Sequence, residues 1–120
     1  MKTLKLTLKK QWFDLIKSGV KLEEYREIKP YWIRRLLCDF NFNRACWNIK
    51  LNNGSYRDIK FDQVQFTNGY SANSPRITVE CKGIHIGTGR KEWGADEGVN
   101  YFVIELGDVL TNNEVETKQI

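Results

Sequence analysis

Gly19-Val20-Lys21-Leu22-Glu23-Glu24-Tyr25-Arg26 sets a lysine, a glutamate and an arginine directly after a helix stop, at the entry to a run that reads as a strand. Ser18-Gly19 supplies the stop. Residues 22–28 are too short and too punctuated for a stable helix, and Pro30 closes them. In a strand, side chains two apart share a face, so Glu24 and Arg26 point with Leu22 and Ile28 toward the interior. Charges aimed at a core are costly unless paired and hydrogen-bonded. A Glu24–Arg26 pair, or pairing of each across the sheet, is therefore expected, with Lys21 at the mouth of the same site.

Upstream, Leu4, Leu6 and Leu8 alternate with Lys5, Thr7 and Lys9, the period of a strand with one buried face. Trp12, Leu15 and Ile16 then form the stripe of a short helix. Downstream, Pro30 opens a second amphipathic helix over about 30–40, with Ile33, Leu36, Leu37 and Phe40 on its apolar side and Arg34 and Arg35 on its open face. Alternation from Ala45 to Leu51, then Asn52-Asn53-Gly54, predicts a hairpin returning through Tyr56 to Phe61. Val64 and Phe66 have the opposite parity to Ile59 and Phe61, which predicts a break near Asp62-Gln63. Ile77, Val79 and Cys81 share one parity and Ile84 and Ile86 the other, so a bulge is expected at Gly83. Residues 87–100 read as a glycine-rich loop, and 101–107 as a last strand with Phe102, Ile104 and Leu106 inward. The sum is an α+β protein, a small curved β-barrel with two short N-terminal helices, as one domain over 1–110 with a loose polar tail over 111–120.

The 120 residues, 41% hydrophobic and 28% charged with four Trp, suit one folded core. No apolar run reaches the roughly 20 residues of a membrane span, and no signal-peptide core is present, so a cytoplasmic protein is expected. The net charge of +4 is uneven: residues 1–35 carry ten Lys or Arg against four acids. A basic patch facing nucleic acid follows, although most single lysines serve only solubility. Cys38, Cys46 and Cys81 show no CxxC spacing, so neither a disulfide framework nor a zinc site is indicated, and no metal or cofactor is expected. His85, between two isoleucines in a strand, reads as a structural or rim histidine.

The form GxKxxExR between a first helix and a second strand resembles the ASCH domain family of the PUA-like superfold. Trp12-Phe13-Asp14-Leu15-Ile16, Phe66-Thr67-Asn68-Gly69-Tyr70, Val79-Glu80-Cys81-Lys82-Gly83-Ile84 and Glu92-Trp93-Gly94 extend the resemblance over residues 3–109. It implies a PUA-like barrel whose cleft engages RNA or a nucleotide through Lys21, Glu24, Arg26, Tyr70 and Trp93, with Lys10, Arg34, Arg35, Arg90 and Lys91 on the phosphate backbone. Cations would meet phosphate, and the carboxylate would accept from a base amino group.

An alternative is hydrolysis of a modified nucleoside. Some small ASCH-like proteins are amidohydrolases with a threonine nucleophile and an activating lysine; Lys21 matches that lysine, but Glu24 stands at the threonine position. A carboxylate does not replace a hydroxyl nucleophile, so Lys21 and Glu24 are catalytic candidates only for water activation. Nothing identifies the base–acid pair of a ribonuclease. A further alternative is a protein-interaction or regulatory domain in which Glu24 and Arg26 only fix the register of the barrel. Glu80, out of phase with Val79 and Cys81, reads as solvated.

Overall fold

A computed structural model describes residues 1–37 and 60–112. The predicted hairpin at Asn52-Asn53-Gly54, Cys38 and Cys46, and the tail beyond Asn112 lie outside them. The described chain runs β1 (Thr3–Thr7), α1 (Lys10–Lys17), β2 (Glu23–Glu27), α2 (Pro30–Leu36), β3 (Gln63–Thr67), β4 (Arg76–Thr88), a 3-10 turn (Lys91–Trp93) and β5 (Asn100–Asn112). The strands form one curled sheet in the order β1-β3-β4-β5-β2. The β1–β3 pair is parallel and the other neighbours are antiparallel. This is a mixed half-barrel, and β1 and β2 are its two edges.

One core fills the concave side. Leu4 and Leu6 of β1, and Leu8 just beyond it, point inward as their alternation requires, and meet Phe66, Ile77, Phe102 and Ile104. The helices close this core with Phe13 and Ile16 of α1 and with Ile33 and Leu36 of α2. Each such side chain contributes about 1.5–3 kcal/mol on burial. The predicted α1 stripe of Trp12, Leu15 and Ile16 is rotated: Phe13 and Ile16 are the buried pair, and Trp12 turns toward Lys21 and Gly94.

The second helix is shorter than its apolar period suggested. Leu37 donates the last helical hydrogen bond to Ile33 O yet is already extended, with φ −112° and ψ 139°. Leaving the helix there sends its side chain into the core, where it is buried.

The parity change along β4 marks a real break. β4 is a single strand of 13 residues whose register against β5 shifts between Val79 and Cys81 and again between Cys81 and Gly83. Gly83, with φ 152°, takes up the bulge. β3 begins at Gln63, while the arm through Tyr56 to Ile59, against which a break near Asp62-Gln63 is expected, lies outside the described residues. The loop predicted over 87–100 is narrower, because β4 continues to Thr88 and β5 starts at Asn100.

β5 outruns its predicted end. Beyond Leu106, Gly107-Asp108 interrupts the alternation, but Val109 still pairs with Val79, and Thr111 and Asn112, assigned to the tail, pair with Thr78 and Ile77. β2 covers β5 only over Tyr101–Glu105. There β5 is buried on both faces: Phe102 and Ile104 enter the main core, while Val103 joins Tyr25 and Ala95 in a second cluster beneath the 89–99 loop.

Candidate functional site

The site starts at the turn that ends α1. Gly19 adopts φ 82°, a conformation glycine takes without strain. The N–H groups of Val20 and Lys21 both donate to Leu15 O at 3.0 Å, which turns the chain into β2.

Lys21 is not at a mouth. It is 1% exposed, and its Nζ donates to Glu24 Oε1 at 2.5 Å and to Glu23 O at 2.7 Å. The rings of Trp12 and Tyr25 flank the ammonium at 5.7 and 5.3 Å. The other oxygen of Glu24 accepts from Arg26 Nη1, so one buried carboxylate holds two cations, as the strand parity of Glu24 and Arg26 required. Arg26 also donates to Tyr25 O at 2.9 Å and, through Nη2, to Thr7 O at 3.2 Å. Thr7 belongs to the opposite edge strand, so Arg26 ties β2 to β1 across the gap in the half-barrel. Leu22, expected inward, is instead exposed at the entry to β2.

Burial pushes the Lys21 ammonium below its ordinary pKa of 10.5, against the opposing pull of Glu24. The folded protein thus holds fewer protons at this site than the unfolded chain between the lowered folded value and 10.5, and stability from this group rises with pH across that window. Below the window the contribution is lost. The urea midpoint of the wild type is therefore expected to rise from neutral pH toward pH 10 relative to that of Lys21→Met; parallel profiles would contradict a depressed Lys21.

Arg26 presents its remaining surface to a cleft of about 530 Å³. Trp32 forms one wall, Glu27 and Tyr101 the floor at the end of the β2–β5 ladder, and Gly94 and Asp96 the facing loop. The Trp32 ring lies 5.2 Å from the guanidinium of Arg26 and 5.2 Å from that of Arg35, with Tyr31 edge-on at 4.8 Å. Arg35 is itself anchored by donating to Lys5 O at 3.1 Å. Lys21 and Glu24 sit behind the cleft and do not line it. They set the position of Arg26, which does.

A second hollow, of about 230 Å³, lies at the other end of β2, lined by Leu22, Glu23, Lys82, Arg90, Trp93 and Glu105 among others. Arg90 stacks on Trp93 at 4.9 Å. Tyr25 is the partition between the two hollows: its hydroxyl donates to Glu23 Oε1 at 2.7 Å and accepts from the Arg90 N–H at 2.9 Å. Burial raises its phenol pKa well above the ordinary value.

The other residues expected at the site are dispersed. Tyr70 is 94% exposed in the turn between β3 and β4 and lines neither hollow. Lys10 pairs with Asp14 at 2.7 Å on the outer face of α1. Arg34 and Lys91 are exposed, and Glu80 is solvated as expected. His85 stands on the rim, 3.3 Å from Glu105. Among the described residues, no group of three or more His, Cys, Asp or Glu is placed to hold a metal, and no helix is long and apolar enough to cross a membrane. No protein-family model, curated protein or solved structure matches the chain.

Trp32 is the residue the sequence reading missed. A signal was present: an indole at the start of α2 stands four residues before Leu36 and three before Arg35, so one side of it packs on the core while the other reaches arginine. A partly buried aromatic within reach of arginine keeps ring surface for a cation–π contact.

Proposed function

We propose that the chain is an RNA- or nucleotide-binding module of ASCH type on a PUA-like barrel, and that a base enters the Arg26–Trp32 cleft. The observation that carries this reading is the fixed stack of Arg26 on Trp32 at the mouth of the cleft. Arg26 is held by Glu24, Tyr25 O and Thr7 O, so a planar group meets a guanidinium and an indole already in place.

The local charge argues for a base edge over a phosphate. In the lining of the cleft, Glu27 and Asp96 face a single guanidinium, that of Arg26. A phosphate there would meet more carboxylate than cation. Its natural contacts are outside the cleft, on Arg34 and Arg35 of α2 and on the basic N-terminal third.

Carboxylates accept from amino groups and repel carbonyl edges. Cytidine 5′-monophosphate is therefore expected to bind more tightly than uridine 5′-monophosphate, which carries an oxygen in place of the amino group. Equal affinities by calorimetry would remove the base-edge role of Glu27 and Asp96.

The direct test is a fluorescence titration with short single-stranded RNA at several salt concentrations. Affinity is expected to weaken as salt rises. Trp32→Ala is expected to weaken it about tenfold to a hundredfold, the worth of one base stack. Circular dichroism would confirm that the variant is folded. Absence of binding at low salt, or an unchanged affinity in a folded Trp32→Ala, would overturn the reading.

A further inference from the structure

We infer that the ligand is a single-stranded RNA segment that seats two bases, one in each hollow, and not a free mononucleotide. This rests on the reading of the Arg26–Trp32 cleft as a base site. The second hollow repeats its construction. Arg26 stacks on Trp32 at 5.2 Å in the first, and Arg90 on Trp93 at 4.9 Å in the second. Carboxylates stand beside each stack, Glu27 and Asp96 in one and Glu23 and Glu105 in the other. Lys82 and Arg90 balance Glu23 and Glu105, so the second hollow also favours a neutral ring with donor groups over a phosphate.

The hollows are set for one continuous strand. They occupy opposite ends of β2, at Glu23 and at Glu27. Four residues of strand separate them by about 13 Å. A single nucleoside does not bridge that span, whereas nucleotides along an extended chain do. Tyr25 of β2 lines the first hollow and hydrogen-bonds Glu23 and the Arg90 N–H of the second, and the adjacent residues Trp93 and Gly94 line one hollow each. An RNA backbone crossing Tyr25 would direct one base to each side. Linking the two stacking events makes the second intramolecular, so affinity rises without any stronger individual contact.

The test compares adenosine 5′-monophosphate with single-stranded pentaadenylate on the wild type, Arg90→Ala and Trp93→Ala, by calorimetry at one low salt concentration. Pentaadenylate is expected to bind the wild type about tenfold to a hundredfold more tightly than the mononucleotide, the worth of one further stacked base. In Arg90→Ala that advantage is expected to disappear while mononucleotide binding persists. This variant keeps the Arg90 backbone N–H that holds Tyr25, so the partition stays in place. Trp93→Ala should behave alike, and its urea midpoint separates lost stacking from lost packing against Tyr25 and Val103. If pentaadenylate and mononucleotide bind the wild type equally, or if both variants keep the full ratio, the two-base assignment is overturned while the single cleft stands. If neither ligand binds, both fall together.

Discussion

Glu24→Ala is expected to destabilise the fold by about 3–5 kcal/mol, because it leaves the Lys21 ammonium buried without its carboxylate and removes the anchor of Arg26. The Glu24 carboxylate accepts from both cations, and its own side chain is almost wholly enclosed. Lys21→Met should cost less, about 1–3 kcal/mol, since Glu24 keeps Arg26 and the methionine stem fills part of the space. Combining Lys21→Met with Glu24→Leu removes both fully enclosed charges and leaves Arg26, whose side chain is 17% exposed, to be solvated at the cleft. The double variant is therefore expected to be more stable than Glu24→Ala alone. Urea denaturation with a common m-value would measure this order. A loss below about 1 kcal/mol in Glu24→Ala would show that the two cations find other partners, and that the carboxylate does not organise the site.

The alternation of β1 and β3 was legible because one side of each strand meets the main core, so parity and burial coincide. Glu24 and Arg26 were legible for the same reason, and their pairing followed from the cost of burying either alone. Lys21 was misplaced. Its backbone parity is opposite to that of Glu24, and nothing in the local pattern says that the long stem folds back under Trp12 and Tyr25 to reach the carboxylate. Val103 was hidden because β5 is covered on both faces where it meets β2, which erases the period of two. The site residues that sequence could not group are those whose placement depends on loop paths. Trp93 and Arg90 fall on the far side of Tyr25 from Arg26, and Tyr70 is carried away by the β3–β4 turn. Trp32 joins the cleft because α2 crosses the gap between β1 and β2, a contact set by Arg35 on Lys5 O as much as by the apolar stripe.

The other large effect is expected at Gly89, which serves as the seat of Tyr25. A Cβ at this position would stand 2.6 Å from Tyr25 Cζ and 2.7 Å from Ala95 Cβ. Both neighbours are buried, and Tyr25 is fixed at its far end by Glu23 and the Arg90 N–H, so neither yields easily. Gly89→Ala is expected to cost about 3 kcal/mol, the upper part of the usual range for overpacking. Pairing it with Ala95→Gly removes one of the two contacts and should restore part of the loss, whereas Ala95→Gly alone should be mildly destabilising. Non-additivity of that kind is what a shared steric contact produces. Because Tyr25 separates the hollows and flanks Lys21, a displaced ring would also loosen Arg90 from its hydroxyl. Gly89→Ala should therefore weaken pentaadenylate more than mononucleotide, in the same sense as Arg90→Ala but with a lowered urea midpoint. A Gly89→Ala protein as stable as the wild type would mean that the 89–99 loop can lift from Tyr25 without cost, and that Tyr25 is not a rigid wall between the two hollows.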